Sequence, residues 1–291
     1  MDLRLGAAFA GAIVCVSTVP AHAEATDFGY VYTAATEEAG ETEVSLWATD
    51  RRGKSSGHYD ARDYKLEVER GITDRFTISA YAKFASHHVH GLGGEFEPVA
   101  RNFAFQGLSA EFKYKLLDPS HDRFGLAFYV EPGWSRISKI KGEHARELEL
   151  ELKAIVQKNF AHDRLVWAAN LTVEPEWERE QELIAPGVVS SATEKELAVE
   201  VSTGLSYNLA RRWWVGVEGR YHSVYPNWTH GLHRENYAVY AGPTVHFDGG
   251  EWSVTATWQP QLFGGPSAAG SSLEFDDHEK REFRLKLSKE F

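Results

Sequence analysis

The chain has 291 residues, a formal net charge of −11, and charged side chains at a quarter of its positions. That balance excludes a bundle of membrane helices, because no window of about 18 apolar residues follows the N-terminal stretch, and it disfavours nucleic acid, which asks for basic surface. Aromatics nevertheless reach 13 %, with 9 Trp, so the apolar residues must be arranged by pattern rather than by run.

Met1-Asp2-Leu3-Arg4 carries one basic residue ahead of an apolar or small run from Leu5 to Val19, and Ala21-His22-Ala23 follows with small residues spaced for a signal peptidase. The expectation is a signal peptide over residues 1–23, removed before Glu24. About 15 residues are too few to cross a ~30 Å hydrocarbon core as a helix. Cys15, the one cysteine, falls inside that segment, so no disulfide or cysteine chemistry is expected afterwards. Residues 24–40, with Phe28-Gly29-Tyr30-Val31-Tyr32-Thr33, precede the first strand and read as a periplasmic segment, either a tail or a partial plug.

From residue 41 to 291 the chain alternates. Twelve strand-like segments are expected: Glu41–Thr49, Arg62–Arg70, Phe76–Ala85, Gly107–Leu116, Phe124–Trp134, Arg146–Lys158, Arg164–Trp177, Glu194–Tyr207, Trp213–Tyr225, Glu235–Phe247, Glu251–Gln259 and Glu279–Glu290. Five short connections, at 71–75, 118–122, 160–163, 208–212 and 248–250, interleave with longer polar ones at 53–59, 86–102, 135–143, 179–192, 226–233 and 263–278. A soluble sandwich has no reason to sort its loops by length. An even-stranded membrane barrel with short periplasmic turns and long outer loops does. The fold class expected is therefore all-β, a transmembrane antiparallel up-and-down barrel of about 12 strands.

The last segment carries a resemblance. In Arg281-Glu282-Phe283-Arg284-Leu285-Lys286-Leu287-Ser288-Lys289-Glu290-Phe291 the apolar residues fall on alternate positions and the chain stops on Phe. It resembles the closing strand of Gram-negative outer-membrane β-barrels, with Lys289 departing from the apolar residue usual there. The run Glu69-Arg70-Gly71-Ile72-Thr73-Asp74-Arg75-Phe76-Thr77, with Glu41-Thr42-Glu43 and Trp47 before it, is similar to uncharacterised proteobacterial outer-membrane barrels. The resemblance implies a place in the outer membrane with both termini periplasmic, contact with its lipid, and the barrel assembly machinery as partner through the strand ending in Phe291. It names no solute.

Charge on a lipid-facing strand costs ~2–4 kcal/mol per Lys or Arg near the midplane, so the charged faces must look into a lumen. In the sixth segment Leu148, Leu150, Leu152, Ala154 and Val156 oppose Glu147, Glu149, Glu151 and Lys153. The lumen-lining candidates are Glu67, Glu69, Lys83, Glu111, Lys113, Glu147, Glu149, Glu151, Lys153, Glu196, Glu200, Glu218, Arg220, Arg284 and Lys286. Acids outnumber bases, so an open lumen would prefer cations. Barrels of about eight strands are filled by side chains and those of sixteen or more are open; twelve leaves two readings, a narrow porin-like channel for small solutes or a plugged structural barrel.

Other chemistry is thinly signalled. His87-His88-Val89-His90 reads as the start of the second outer loop, with solvated imidazoles rather than metal ligands. No GxSxG elbow, P-loop or HExxH motif occurs, and His222 and His246 read as inward, unlike the lipid-facing residues of twelve-stranded outer-membrane phospholipases. No enzyme, metal or cofactor is expected; a lipid-modifying enzyme is the remaining alternative.

Overall fold

The structure is a computed structural model and describes residues 28–93, 96–185, 188–267 and 270–291. The expected signal peptide and Cys15 lie outside these residues. Twelve strands form one closed antiparallel sheet: β1 (Thr42–Arg52), β2 (His58–Thr73), β3 (Phe76–His90), β4 (Val99–Leu117), β5 (Gly125–Ile137), β6 (His144–Phe160), β7 (Leu165–Ala185), β8 (Val188–Ala210), β9 (Trp213–Pro226), β10 (Asn236–Asp248), β11 (Trp252–Gly265) and β12 (Arg281–Glu290). Each strand pairs with its sequence neighbours, and β12 returns to β1 from Glu43↔Glu290 to Arg52↔Arg281. Closure leaves no strand edge unpaired, which is what hydrocarbon demands of a spanning sheet.

The outward face is apolar because period-two alternation sends those positions there. Phe128, Leu148, Val201 and Val217 are each about half exposed, whereas Ala127, Tyr129 and Ile155 on the opposite face are fully buried. Aromatic clusters mark both ends of the wall. Trp213, Phe247 and Trp252 pack as tilted ring pairs at 4.7 and 5.3 Å between centroids near the short turns. Phe84 stacks on Phe103 at 4.9 Å and meets Phe105 edge-to-face at 5.7 Å near the loops. These are the interfacial belts of a membrane barrel. Lys289 is on this outer face, with its ammonium 4.9 Å from the Phe291 ring centroid, a stem laid along the wall and a head at its rim.

Three expectations are corrected. The loop expected over Arg179–Ala192 is strand almost throughout, with β7 and β8 paired up to Leu183↔Val189 and Ala185↔Val188; backbone pairing continues past the polar run at which hydrophobic alternation faded. Strands β2, β3 and β4 likewise extend toward the loop side, so His87, His88 and His90 lie in β3. Alternation turns His87 inward, fully buried, and leaves His90 exposed, its ring stacked on His58 at 4.9 Å. The three imidazoles do not converge.

Candidate functional site

Of the two readings of the stretch before β1, the structure gives the plug. Residues 28–39 run through the lumen and are held by inward side chains of distant strands. Glu218 on β9 accepts the backbone N–H groups of Gly29, Tyr30 and Val31 at 2.8, 2.7 and 2.9 Å, together with the Thr257 hydroxyl at 2.9 Å. Three consecutive amides converging on one carboxylate are strong, charge-assisted bonds. Asn170 on β7 then imitates a strand partner, accepting from Tyr32 N–H at 2.7 Å and donating to Tyr32 C=O at 2.8 Å. Gln157 on β6 accepts from Ala34 N–H at 2.8 Å, Thr77 on β3 from Glu37 N–H at 3.1 Å, and Gly71 C=O from Gly40 N–H at 2.9 Å. A buried backbone must find such partners, and here the barrel wall supplies them.

Packing complements the polar anchors. Phe28 and Val31 pack with Val166 and Ala168, and Ala34 with Ala127, Tyr129 and Ile155. Close approach requires small residues: a Cβ on Gly204 would meet the Phe28 ring at 2.6 Å, and one on Gly29 would meet Thr257 Oγ1 at 2.5 Å. The Tyr30 ring is sandwiched between the guanidinium groups of Arg220 and Arg284, each 3.9 Å from its centroid. Lys153 sits 3.8 Å from the Tyr32 centroid. Cations on ring faces in a dry site are worth about 2 kcal/mol or more.

Above this crossing lies a chamber of about 310 Å³, with Tyr30 and Tyr32 among its lining and Ser138, Lys139, Asp277 and His278 of two loops at its rim. On the short-turn side of the plug the free space shrinks to about 20 Å³. Thirteen carboxylates and seven Lys or Arg side chains line the chamber.

Each sequence candidate has a definite place. Glu67 accepts from Trp47 Nε1 at 2.7 Å and from the Tyr81 hydroxyl at 2.6 Å, and the same hydroxyl touches Glu111. Glu69 and Lys113 face the small void below the plug. Lys286 lies 3.0 Å from Glu43. Glu37, Glu43 and Glu69 bring carboxylate oxygens within 4.8 Å of one another, and that ammonium supplies countercharge. Lys83 bridges Glu149 and Glu131, and Lys153 pairs with Glu151 at 2.7 Å. Arg220 reaches Glu282 at 2.8 Å, Gln259 at 2.6 Å and Glu200 at 3.5 Å. Arg284 donates to Thr49 at 2.9 Å and to Gly29 C=O at 3.0 Å. Glu147 and Glu196 line the chamber.

A family profile spans residues 20–291. The chain belongs to DUF6662, a family of unknown function. No curated protein matches this DUF6662 sequence. Its fold is that of outer-membrane β-barrels. The COG4313 outer membrane channel from Pseudomonas putida F1 superposes with a TM-score of 0.60 at 14 % identity, over 89 % of this chain and 98 % of that one. The β domain of the Bordetella autotransporter BrkA gives 0.57 at 10 % identity, over 87 % and 100 %. The translocator domain of the Neisseria meningitidis autotransporter NalP gives 0.52 at 12 %, over 88 % and 90 %.

The DUF6662 barrel also closes its loop end with residues that sequence reasoning passed over. In the β11–β12 loop Glu274 is fully buried, accepting N–H bonds from Asp276 at 2.6 Å and His278 at 3.1 Å. His278 contacts Asn236 at 3.1 Å. Burial pushes the Glu274 carboxyl up to about 7 and, with His222 adding repulsion, the His278 imidazole down to about 2. Arg51 joins this loop to the barrel, reaching Asp63 at 2.8 Å, Glu279, and the Lys139 C=O of the β5–β6 loop. His87 contacts the same Lys139 C=O at 3.0 Å. His246, read as inward, is buried and bonded to Thr255 at 2.8 Å.

Proposed function

We propose that this protein is an outer-membrane channel for small solutes with a preference for cations, held shut by its own N-terminal segment. The observation that carries the reading is the acid-rich chamber of about 310 Å³, barred on its short-turn side by residues 28–39. A lumen with an excess of carboxylates attracts cations and repels anions. The segment that bars it is anchored by side chains rather than by strand pairing, so it can leave without opening the sheet. The fold likeness to a Pseudomonas putida outer membrane channel supports passage as the purpose of such a lumen. The apolar wall and its two belts support residence in the Gram-negative outer membrane. There the short turns and both termini face the periplasm, and the strand ending in Phe291 is read by the assembly machinery.

Planar-bilayer recording tests this. The full mature chain should be nearly silent, and deletion of residues 24–40 should give ohmic, cation-selective steps. A second reading, a sealed structural barrel, is favoured by the ion pairs that fill the wall around Arg220 and Lys83. It predicts silence from both proteins, and anion-selective steps would overturn the cation preference.

A further inference from the structure

One wall of the chamber is built unlike the rest. Across β6, β7 and β8, carboxylates stand directly opposite one another: Glu149↔Glu176 and Glu176↔Glu196 form one row, and Glu147↔Glu178 and Glu178↔Glu194 the next. Like charges in register on a sheet are unfavourable, so a wall of this kind wants countercharge. Lys83, committed to Glu149 and Glu131, and Lys139 at the rim line the same chamber. Glu147 is 8 % exposed, lines the chamber, and has no hydrogen bond or ion pair among the described residues. A buried carboxylate turned into a cavity without a partner is a costly arrangement unless something cationic meets it.

Geometry narrows what that something is. A Ca²⁺ or Mg²⁺ ion needs several oxygens converging at about 2.0–2.6 Å, and the row-forming carboxylates are not so gathered: among the described residues only Glu37, Glu43 and Glu69 bring three within 4.8 Å. Neighbouring strands are about 4.8 Å apart, and same-face residues along a strand about 6.8 Å. Charges laid out on such a grid match ammonium groups separated by three or four methylenes. Ala198 and Val224, paired beside the rows and lining the same chamber, offer apolar surface to the carbons between. Glu194, exposed toward the loop end, starts the acidic track at a point solvent reaches.

We propose that the β6–β8 wall of the chamber binds a linear oligoamine, its ammonium groups held by the two carboxylate rows with Glu147 as the central acceptor. The inference rests on the lumen being the working compartment, as above, but requires binding only, not passage. Spermidine titrated calorimetrically into the folded, detergent-solubilised mature chain at low salt should bind one to one and weaken as salt rises. The doubly isosteric variant Glu147→Gln/Glu176→Gln should lose affinity by about tenfold or more, with unchanged heat-modifiable mobility on gels. Glu147→Cys in a chain lacking Cys15 supplies a second readout, since spermidine should protect that thiol from a cationic thiol reagent. No binding by the wild type, equal affinity in the double variant, or Mg²⁺ binding more tightly than spermidine would each overturn the proposal. Binding by a barrel that never conducts would leave it standing and remove the channel instead.

Discussion

The two sides of the lumen solve the same electrostatic problem differently. Toward β9, β11, β12 and β1 each inward charge has a partner: Arg220 with Glu282, Lys286 with Glu43, and Glu218 with three amides of the plug. Toward β6, β7 and β8 carboxylates face carboxylates across the ladder. Satisfied groups rigidify a structure, whereas a buried carboxylate without a hydrogen bond or ion pair among the described residues, here Glu147 on β6, is costly until a countercharge meets it. On the two proposals above, the first side keeps the barrel closed and the second receives the ligand.

The largest effect should come from breaking the satisfied side. Glu218→Ala strips the acceptor from three buried N–H groups. Bonds to a charged partner are worth about 1.5–3 kcal/mol each, and the set, which is not additive, should weaken plug docking by roughly 3–5 kcal/mol. Steps should appear in bilayers, and residues 28–40 should become cleavable by protease while the sheet stays heat-modifiable. Continued silence and protection would mean that the plug is held by packing alone.

Next in size is the loop cap. His278 is neutral when docked, so as pH falls below about 6.5 an undocked loop binds a proton that the docked one refuses, and docking loses about 1.4 kcal/mol per pH unit. Glu274 has the opposite sign: with its carboxyl raised to about 7, the docked loop takes up a proton between pH 7 and about 4.5 that an undocked loop does not. The two slopes offset each other from about 6.5 to 4.5, and the loop should release only below that. In Glu274→Gln, release should begin near pH 6.5. Hydrogen exchange over residues 270–280 reads both, and identical pH profiles would remove the balance. His222, Lys54, Arg220 and Glu282 also face this imidazole, so salt should shift the profile little at so buried a site.

A smaller effect tests shape without charge. Gly204→Val places carbon where the Phe28 ring lies, the first added atom already at 2.6 Å. Overpacking costs about 1–3 kcal/mol and should loosen the plug's first residues, read as faster proteolysis at 28–31 with an unchanged barrel. An unaltered rate would show that Phe28 moves aside freely.

The barrel was legible because strands β5 and β6 repeat with period two and no helix signal competes; from Leu148 to Val156 the faces sort themselves. The mouth was less legible. Hydrophobic alternation fades in β7 after Trp177, where the wall rises past the apolar belt and neither face need be apolar, yet backbone pairing continues to Ala185. The plug's fate was hidden for a different reason. Phe28 to Thr33 has no periodicity, and its partners Asn170 and Glu218 lie 138 to 189 residues away. A trace did exist: the inward carboxamides of Asn170 and Gln157 stand on the same half of the wall as Gly204 and Gly125, where a barrel lined only by ion pairs has no need of them.

The smallest effect has the opposite sign and sharpens the comparison most. Glu176 stands opposite Glu149 on one side and Glu196 on the other, so its ionised form is repelled from both. Glu176→Gln keeps the shape and removes the repulsion, and should stabilise the barrel by about 0.5–1 kcal/mol. Glu282→Gln, on the partnered side, leaves Arg220 short of its closest carboxylate and should destabilise it. Midpoints of loss of the compact gel form, measured for both in one detergent, give the signs directly. Adding spermidine should raise the wild-type midpoint and leave that of Glu176→Gln nearly where it began, because the variant has already lost the repulsion that the ligand relieves. Two variants moving the same way would mean that the β6–β8 carboxylates are balanced within the protein, and the distinction between the two walls would fail.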